Sequence, residues 1–138
     1  MSKMFLIFNH NLTPEQEQDA RENLGVDDFI TLPENLREIW SQIPADVRDL
    51  REILRPIAEY LETNLNKGDY ALIQGDYGAT FLVAHFVKDL GGIPVHATSR
   101  REIEQEIIGT DPQTGESVIK KIHRFSHKIF RPYFPEDY

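Results

Sequence analysis

The chain of 138 residues contains no cysteine. This absence excludes disulfide bonds, thiol nucleophiles and zinc or iron–sulfur sites held by cysteine. Catalysis or binding must therefore depend on carboxylates, histidines, hydroxyls, amides and cations. The first apolar run, Met4 to Phe8, is only five residues long, which is too short for a signal peptide or a membrane span. We expect a cytoplasmic protein that does not enter membranes.

Positive charge is scarce over most of the chain, and the formal net charge is −8. A binder of long nucleic acids neutralises many phosphates with a basic surface, so this charge argues against such a partner. Residues 1–99 carry eight Lys or Arg against 16 Asp or Glu, whereas residues 117–131 carry five cations and no acid. This basic stretch is either a solvated face or part of a local positive site for a small anion.

Apolar periodicity predicts a single α/β domain over residues 1–138, with a Rossmann-like parallel sheet. Pro44 should split the helical region 34–66, Pro56 should kink or interrupt its second helix near Arg55, and Pro94 indicates a sheet edge. A C-terminal β-hairpin is expected over about 102–131, around the turn 110–115. The other expected elements are strands at 4–8, 29–32, 70–74 and 93–97 and an apolar, internal helix at about 80–90. A further helix is expected to begin at Pro14, after a capping box formed by Thr13 and Gln16, and to stop at Gly25.

Ligands of open parallel sheets bind beyond the carboxyl ends of the strands. Three predicted loops lie there: residues 9–11, 75–80 and 98–101. The loop 75–80 has the strongest local pattern, because its two glycines allow close approach and the following helix offers unpaired N–H groups to an anion. The alternative is structural, with Asp76 capping the helix and the glycines forming the turn.

His10 follows the first strand between two asparagines, where it either bonds a neighbouring backbone group or serves acid–base chemistry. His85 is expected to be a core or interface residue, and His96 is ambiguous. No short ligand spacing joins the histidines and acids, so we expect neither a metal nor a cofactor.

Basic and aromatic residues follow the fourth strand and mark the end of the chain. Ser99, Arg100 and Arg101 either grip phosphate or are solvated. Aromatic and basic residues alternate over residues 125–133, which include His127. This alternation either stacks bases and holds phosphates or forms one strand with an apolar face.

Four segments resemble a small stand-alone CRISPR-associated family found beside type III systems: Met4 to Thr13, Gly68 to Thr80, Ile93 to Arg101 and Arg124 to Tyr133. That family is similar to CRISPR-associated Rossmann-fold (CARF) domains and is associated with ring nucleases. Such enzymes degrade cyclic tetra-adenylate and so switch off the antiviral signal. The resemblance implies a CARF-like fold, a phosphodiesterase activity and a homodimer that matches the symmetry of the cyclic ligand.

The implied reaction needs no metal, because a ribose 2′-hydroxyl attacks its own phosphorus and leaves a 2′,3′-cyclic phosphate. The expected roles are proton transfer by His10, with His127 as second candidate, and charge stabilisation by Arg100 or Arg101. Two alternatives remain: a protein that binds the messenger without cutting it, and an interaction module that docks through the acidic helical face 34–62. The expected ligand-binding residues are Asn9, Asn11, Gly75, Asp76, Tyr77, Gly78, Ala79, Thr80 and Ser99.

Overall fold

The computed structural model describes residues 2–137, of which residue 137 is described by its backbone alone. Contacts within the chain divide it into two compact units. The body consists of Met1–Ala97 and Phe130–Tyr138, and the arm consists of Thr98–Ile129. We describe each unit by itself.

The chain has a mixed α/β, Rossmann-like fold. Its five strands lie in the order β2-β1-β3-β4-β5, and the pairs β1–β2, β1–β3 and β3–β4 are parallel. The elements are β1 (Ser2–Ile7), α1 (Pro14–Leu24), β2 (Val26–Thr31), α2 (Glu34–Ser41), α3 (Arg51–Asn64), β3 (Tyr70–Ile73), α4 (Tyr77–Asp89), β4 (Ile93–Thr110) and β5 (Ser117–Pro132), followed by a 3₁₀ turn (Pro135–Asp137).

Helix α1 begins and ends where its sequence predicts. The Thr13 hydroxyl accepts a hydrogen bond from the Gln16 backbone N–H, and the Gln16 side chain accepts one from the Thr13 N–H. Pro14 stands in the first turn, and Gly25 ends the helix at φ 68°, a left-handed conformation that glycine adopts without a steric penalty. The predicted capping box and glycine stop are confirmed.

Two expectations that rested on proline are wrong. Helix α3 continues through Pro56, because Leu54, Ile57 and Leu61 on both sides of the proline are buried in the core. Pro94 does not mark a sheet edge, since β4 lies between β3 and β5. The carbonyl oxygen of Pro94 accepts a hydrogen bond from the Tyr133 N–H, just past the last residue of β5. The pairing of β4 with β3 does not need the backbone N–H that Pro94 lacks.

Both faces of the body's sheet are covered. One cluster packs α2, α3 and α4 against β1 and β3, and it includes Phe5, Trp40 and Ile57. The second cluster lies around Met4 and Ala20 and includes Phe130 of β5. Helix α4 was predicted to be apolar and therefore internal. The prediction that it is internal is wrong, because Phe81 of that helix is 62% exposed.

The arm contains the outer part of the hairpin formed by β4 and β5. Its strands are joined by the turn 111–116, in which the Asp111 carboxylate accepts a hydrogen bond from the Gln113 N–H and Gly115 has φ 71°. The predicted hairpin is confirmed, but β4 does not stop at Ala97. Residues 98–101 therefore belong to a strand, not to a loop, because no glycine or proline interrupts the chain between Val95 and Ile108.

Candidate functional site beside the first turn of α4

The connection from β3 to α4 is short, and its helix begins earlier than predicted. Tyr77, not Thr80, is the first helical residue, so residues 77–80 form the first turn of α4. The Asp76 carboxylate accepts a hydrogen bond from the Ala79 N–H at 3.0 Å. The structural alternative therefore holds for Asp76, which caps the helix, while the backbone N–H groups of Tyr77 and Gly78 remain at the positive end of the helix dipole.

Trp40 of α2 fixes the position of this connection. Its indole Nε1 donates a hydrogen bond of 2.9 Å to the carbonyl oxygen of Gln74. A β-carbon on Gly75 would lie 2.9 Å from the same indole nitrogen, and Trp40 is only 2% exposed. Glycine is therefore needed at position 75 because a rigid, buried ring touches the backbone there.

The side chain of Gln74 joins the ends of two strands. Its Oε1 atom accepts a hydrogen bond of 2.8 Å from the backbone N–H of Ala97 in β4. This contact holds the carboxyl end of β3 beside the point where β4 passes His96. The chain thus brings His96 to the edge that the sequence predicts to bind ligands.

A cavity of about 540 Å³ opens at this edge within the body. Most of its side chains are aromatic rings, imidazoles or short polar groups. The residues that line it are Gln74, Gly75, Tyr77, Thr80, Phe81, Ala84, His85, His96, Tyr133 and Phe134. Tyr77 is 95% exposed, and the buried Thr80 hydroxyl oxygen has no hydrogen-bond partner among residues 2–137. The cavity therefore offers the free ring of Tyr77 to a ligand, whereas the Thr80 hydroxyl oxygen is buried in its wall.

Tyr133 closes one side of the cavity. Its hydroxyl donates a hydrogen bond of 2.6 Å to the carbonyl oxygen of Ile73, and its ring centroid lies 5.0 Å from that of His96. Burial raises the pKa of the Tyr133 phenol. The phenol thus stays protonated at neutral pH and acts as a hydrogen-bond donor.

His96 is half-buried, and its environment favours the uncharged imidazole. Burial is the main cause that lowers the pKa of His96, and the positive charge of Arg131 lowers it further, while a backbone hydrogen bond with Ala97 opposes the shift. Since histidine ordinarily has a pKa of about 6.5, His96 is neutral at pH 7. A neutral imidazole that faces a cavity is able to accept a proton from a ligand.

His85 lies on the other side of the cavity, among aromatic rings. Its ring centroid is 4.5 Å from that of Phe81 and 4.8 Å from that of Phe134. The ammonium group of Lys88 lies 4.6 Å from the Phe134 ring centroid. His85 is exposed, so it is not a core residue, and the alternative of an interface residue stays a prediction.

The first predicted loop does not line this cavity. Asn9, His10 and Asn11 are exposed and follow β1, and the His10 ring centroid lies 6.3 Å from that of Phe8. Asn9 lines a different cavity of about 290 Å³, together with Phe8, Glu34, Arg37, Glu38 and Ser41. The structure thus separates Asn9 from the residues around Tyr77.

The remaining predicted residues lie in the arm. Ser99, Arg100 and Arg101 are exposed residues of β4, and His127 is a half-buried residue of β5. The Arg101 guanidinium group contacts Nδ1 of His123, at 3.1 Å from its Nε atom. Arg101 is therefore already engaged within the arm.

Of the predicted ligand-binding residues, the structure brings Gly75, Tyr77 and Thr80 together in one cavity. Sequence reasoning missed His96, although the rule that selected His10, a histidine at the carboxyl end of a strand, applies to it equally. Tyr133 gave no comparable signal, because the carbonyl group that it contacts lies 60 residues away in the sequence.

Two further findings concern the residues that the structure describes. Over residues 2–137, no cluster of three or more histidine, aspartate or glutamate side chains is arranged to hold a metal ion. Within the same residues, no helix has both the length and the apolar character that crossing a bilayer requires.

Comparison with known proteins identifies the family. The family described as "Uncharacterized protein MJ1673 family" matches residues 2–131. The chain belongs to the MJ1673 family. A protein of Methanocaldococcus jannaschii, "Uncharacterized protein MJ1673", is 46% identical to it over 135 residues, which cover 98% of this chain and 99% of the relative. No solved structure matches this MJ1673-family chain at a significant level.

Proposed function

We propose that this protein is a CRISPR-associated ring nuclease, which binds cyclic tetra-adenylate and cleaves it to switch off type III antiviral signalling. The observation that carries the proposal is the cavity beside the first turn of α4, in a Rossmann-like body. The resemblance of four sequence segments to the CRISPR-associated family supports the same function. Protein sites for small molecules have volumes of about 300–1,000 Å³, so the 540 Å³ cavity suits one or two nucleotide units.

The cavity's walls suit the two parts of an adenylate. A phosphate is attracted to the N–H group of Tyr77, which lines the cavity at the positive end of α4. An adenine ring can stack on the exposed ring of Tyr77 or Phe81.

His96 is the proposed proton acceptor. It takes the proton from a ribose 2′-hydroxyl while that oxygen forms a bond to the adjacent phosphorus. The bond from phosphorus to the 5′-oxygen breaks, and a proton donor protonates the leaving oxygen. The products are a linear adenylate with a 2′,3′-cyclic phosphate and a free 5′-hydroxyl group. The neutral state of His96 at pH 7 fits the acceptor role.

The other catalytic assignments rest on the sequence, and the residues that they concern do not line the cavity. His10 is the first candidate for the proton donor and His127 the second, while Arg100 and Arg101 are the candidates for stabilising charge on the phosphoryl oxygens. Binding is proposed to involve a homodimer, because a two-fold pair of sites matches the symmetry of a cyclic tetranucleotide. No metal takes part in this scheme.

Single-turnover cleavage tests the proposal. Protein in excess over labelled cyclic tetra-adenylate is incubated with and without EDTA, and the products are separated by chromatography and identified by mass. We expect linear products that end in a 2′,3′-cyclic phosphate, formed at the same rate in EDTA. Binding without cleavage would replace the enzyme with a sensor or sequestering protein. If cyclic oligoadenylates do not bind at all, the proposal fails and an interaction module becomes the better account.

A further inference from the structure

Most of the large exposed apolar side chains of the described residues lie in the arm. Of the ten large apolar side chains that are exposed among the described residues, seven lie in the arm: Ile103, Ile107, Ile108, Val118, Ile119, Phe125 and Ile129. A two-stranded ribbon is marginally stable by itself in water, and three or more strands or a packing partner are usually needed. We therefore expect the arm to pack against another surface.

Side-chain contacts across the ribbon show which residues share a face. Glu104 pairs with Arg124 at 3.4 Å, and Glu102 pairs with Lys128 at 3.5 Å. These even-numbered residues form one face of the ribbon, since side chains that touch across paired strands lie on the same side. We call it the ionic face. Many charged groups of the ionic face are paired with one another within the arm.

The opposite face, which we call the apolar face, carries the odd-numbered residues. The contact of Arg101 with His123 places those two residues on it. Alternation along β4 from Arg101 adds Ile103 and Ile107 to it, and alternation along β5 from His123 adds Phe125; all three are exposed. The charged residues of the apolar face are Arg101 and Lys121. No aspartate or glutamate stands at an odd-numbered position in the two strands of the arm. The apolar face is thus both hydrophobic and positive.

The body has the opposite charge. Its residues, 1–97 and 130–138, carry nine Lys or Arg and 18 Asp or Glu, whereas the arm carries six Lys or Arg and five Asp or Glu. A positive apolar surface is complementary to an acidic surface on another molecule, and opposite potentials favour such an encounter. A second copy of this chain presents such an acidic surface.

We infer that the apolar face of each arm packs against the body of a second copy, so that two copies exchange arms in a two-fold dimer. The contact is isologous, because each copy supplies one arm and one body surface. The inference does not depend on the proposed cleavage reaction. It assigns the dimer contact to the arm.

Two neighbouring isoleucines provide a matched test. Ile107 is 70% exposed on the apolar face, and Ile108 is 60% exposed on the ionic face. Sedimentation velocity at micromolar concentration should show a dimer for the parent and for Ile108→Asp, and a monomer for Ile107→Asp. Circular dichroism checks that both variants remain folded. A monomeric parent at every concentration, or equal dissociation of both variants, would overturn the inference.

Salt and cross-linking test the body as the docking surface. The parent dimer should weaken several-fold between 50 mM and 500 mM salt, because screening reduces attraction between the arm and the acidic body. Because the chain has no cysteine, Gln105→Cys places a single thiol on the apolar face. In a mixture of isotope-labelled and unlabelled copies, a thiol–carboxylate cross-linker should join position 105 of one copy to acidic residues of the other copy's body. Cross-links confined to arm residues, or a dimer indifferent to salt, would contradict the arrangement.

Discussion

The hydroxyl group of Tyr133 donates a hydrogen bond of 2.6 Å to the carbonyl oxygen of Ile73. This bond ties the residue after β5 to the last residue of β3, at the edge where the candidate cavity opens. The ring that makes the bond also packs beside His96. One side chain therefore supports both the end of the sheet and the wall of the site.

Tyr133→Phe should lower the free energy of unfolding by about 1–2 kcal/mol, because the Ile73 carbonyl oxygen loses a donor in a partly buried place. Urea denaturation measures the change. Tyr77→Phe is the matched control, since the Tyr77 side chain is almost fully exposed and its hydroxyl should contribute nothing measurable to stability. Equal stability of the two variants would show that the Tyr133 bond is not significant in solution.

Gly75→Ala should destabilise the protein by about 1–3 kcal/mol. The added methyl group would lie 2.9 Å from the buried Trp40 ring, so either the ring or the β3–α4 connection must shift. Gly109→Ala is the control, because a methyl group there meets no atom within 4 Å. Thermal unfolding followed by tryptophan fluorescence reports both stability and the surroundings of Trp40. The prediction fails if Gly75→Ala unfolds at the parental temperature.

His96 should make stability depend on pH on the acid side. Its pKa in the folded chain lies below the ordinary value of about 6.5, so the unfolded chain binds a proton first as the pH falls through that value. Stability is then lost below about pH 6.5 and is unaffected by His96 above pH 7.5. His96→Gln should remove part of this acid loss. Urea unfolding at pH 5.5 and 7.5 measures the difference.

The same substitution tests the proposed chemistry. A positioned proton acceptor typically contributes about 10²- to 10⁴-fold to a rate, so His96→Gln should slow single-turnover cleavage by such a factor and leave the Kd for cyclic tetra-adenylate nearly unchanged. The parental rate should decline on the acid side with an apparent pKa below 6.5. A parental rate in His96→Gln would return the search for the proton acceptor to the other histidines.

Local patterns predicted those parts of the fold that depend on neighbouring residues. The capping box at Thr13 and the glycine stop at Gly25 are set within a few residues, and both are confirmed. Pro56 was misjudged because tertiary packing outweighs the loss of one helical hydrogen bond. The length of β4 was also misjudged, since nothing in five residues of strand pattern shows where pairing with a distant partner ends.

Only part of the candidate site was predicted, because local patterns reveal only residues that are close in the sequence. Gly75, Tyr77 and Thr80 follow one strand and were found from local rules. Tyr133 and Phe134 come from the far end of the chain, and only the strand order brings them beside His96. A cavity assembled from distant segments is not encoded in any one of them.

Calorimetric titration distinguishes whether cyclic tetra-adenylate binds in the cavity beside Tyr77. The parent should bind cyclic tetra-adenylate, and Tyr77→Ala should bind it roughly 5- to 150-fold more weakly, because a stacked base contributes about 1–3 kcal/mol. Val47→Ala, a control at an exposed residue outside the cavity lining, should bind as the parent does. Absence of binding by the parent, or parental affinity in Tyr77→Ala, would contradict the account.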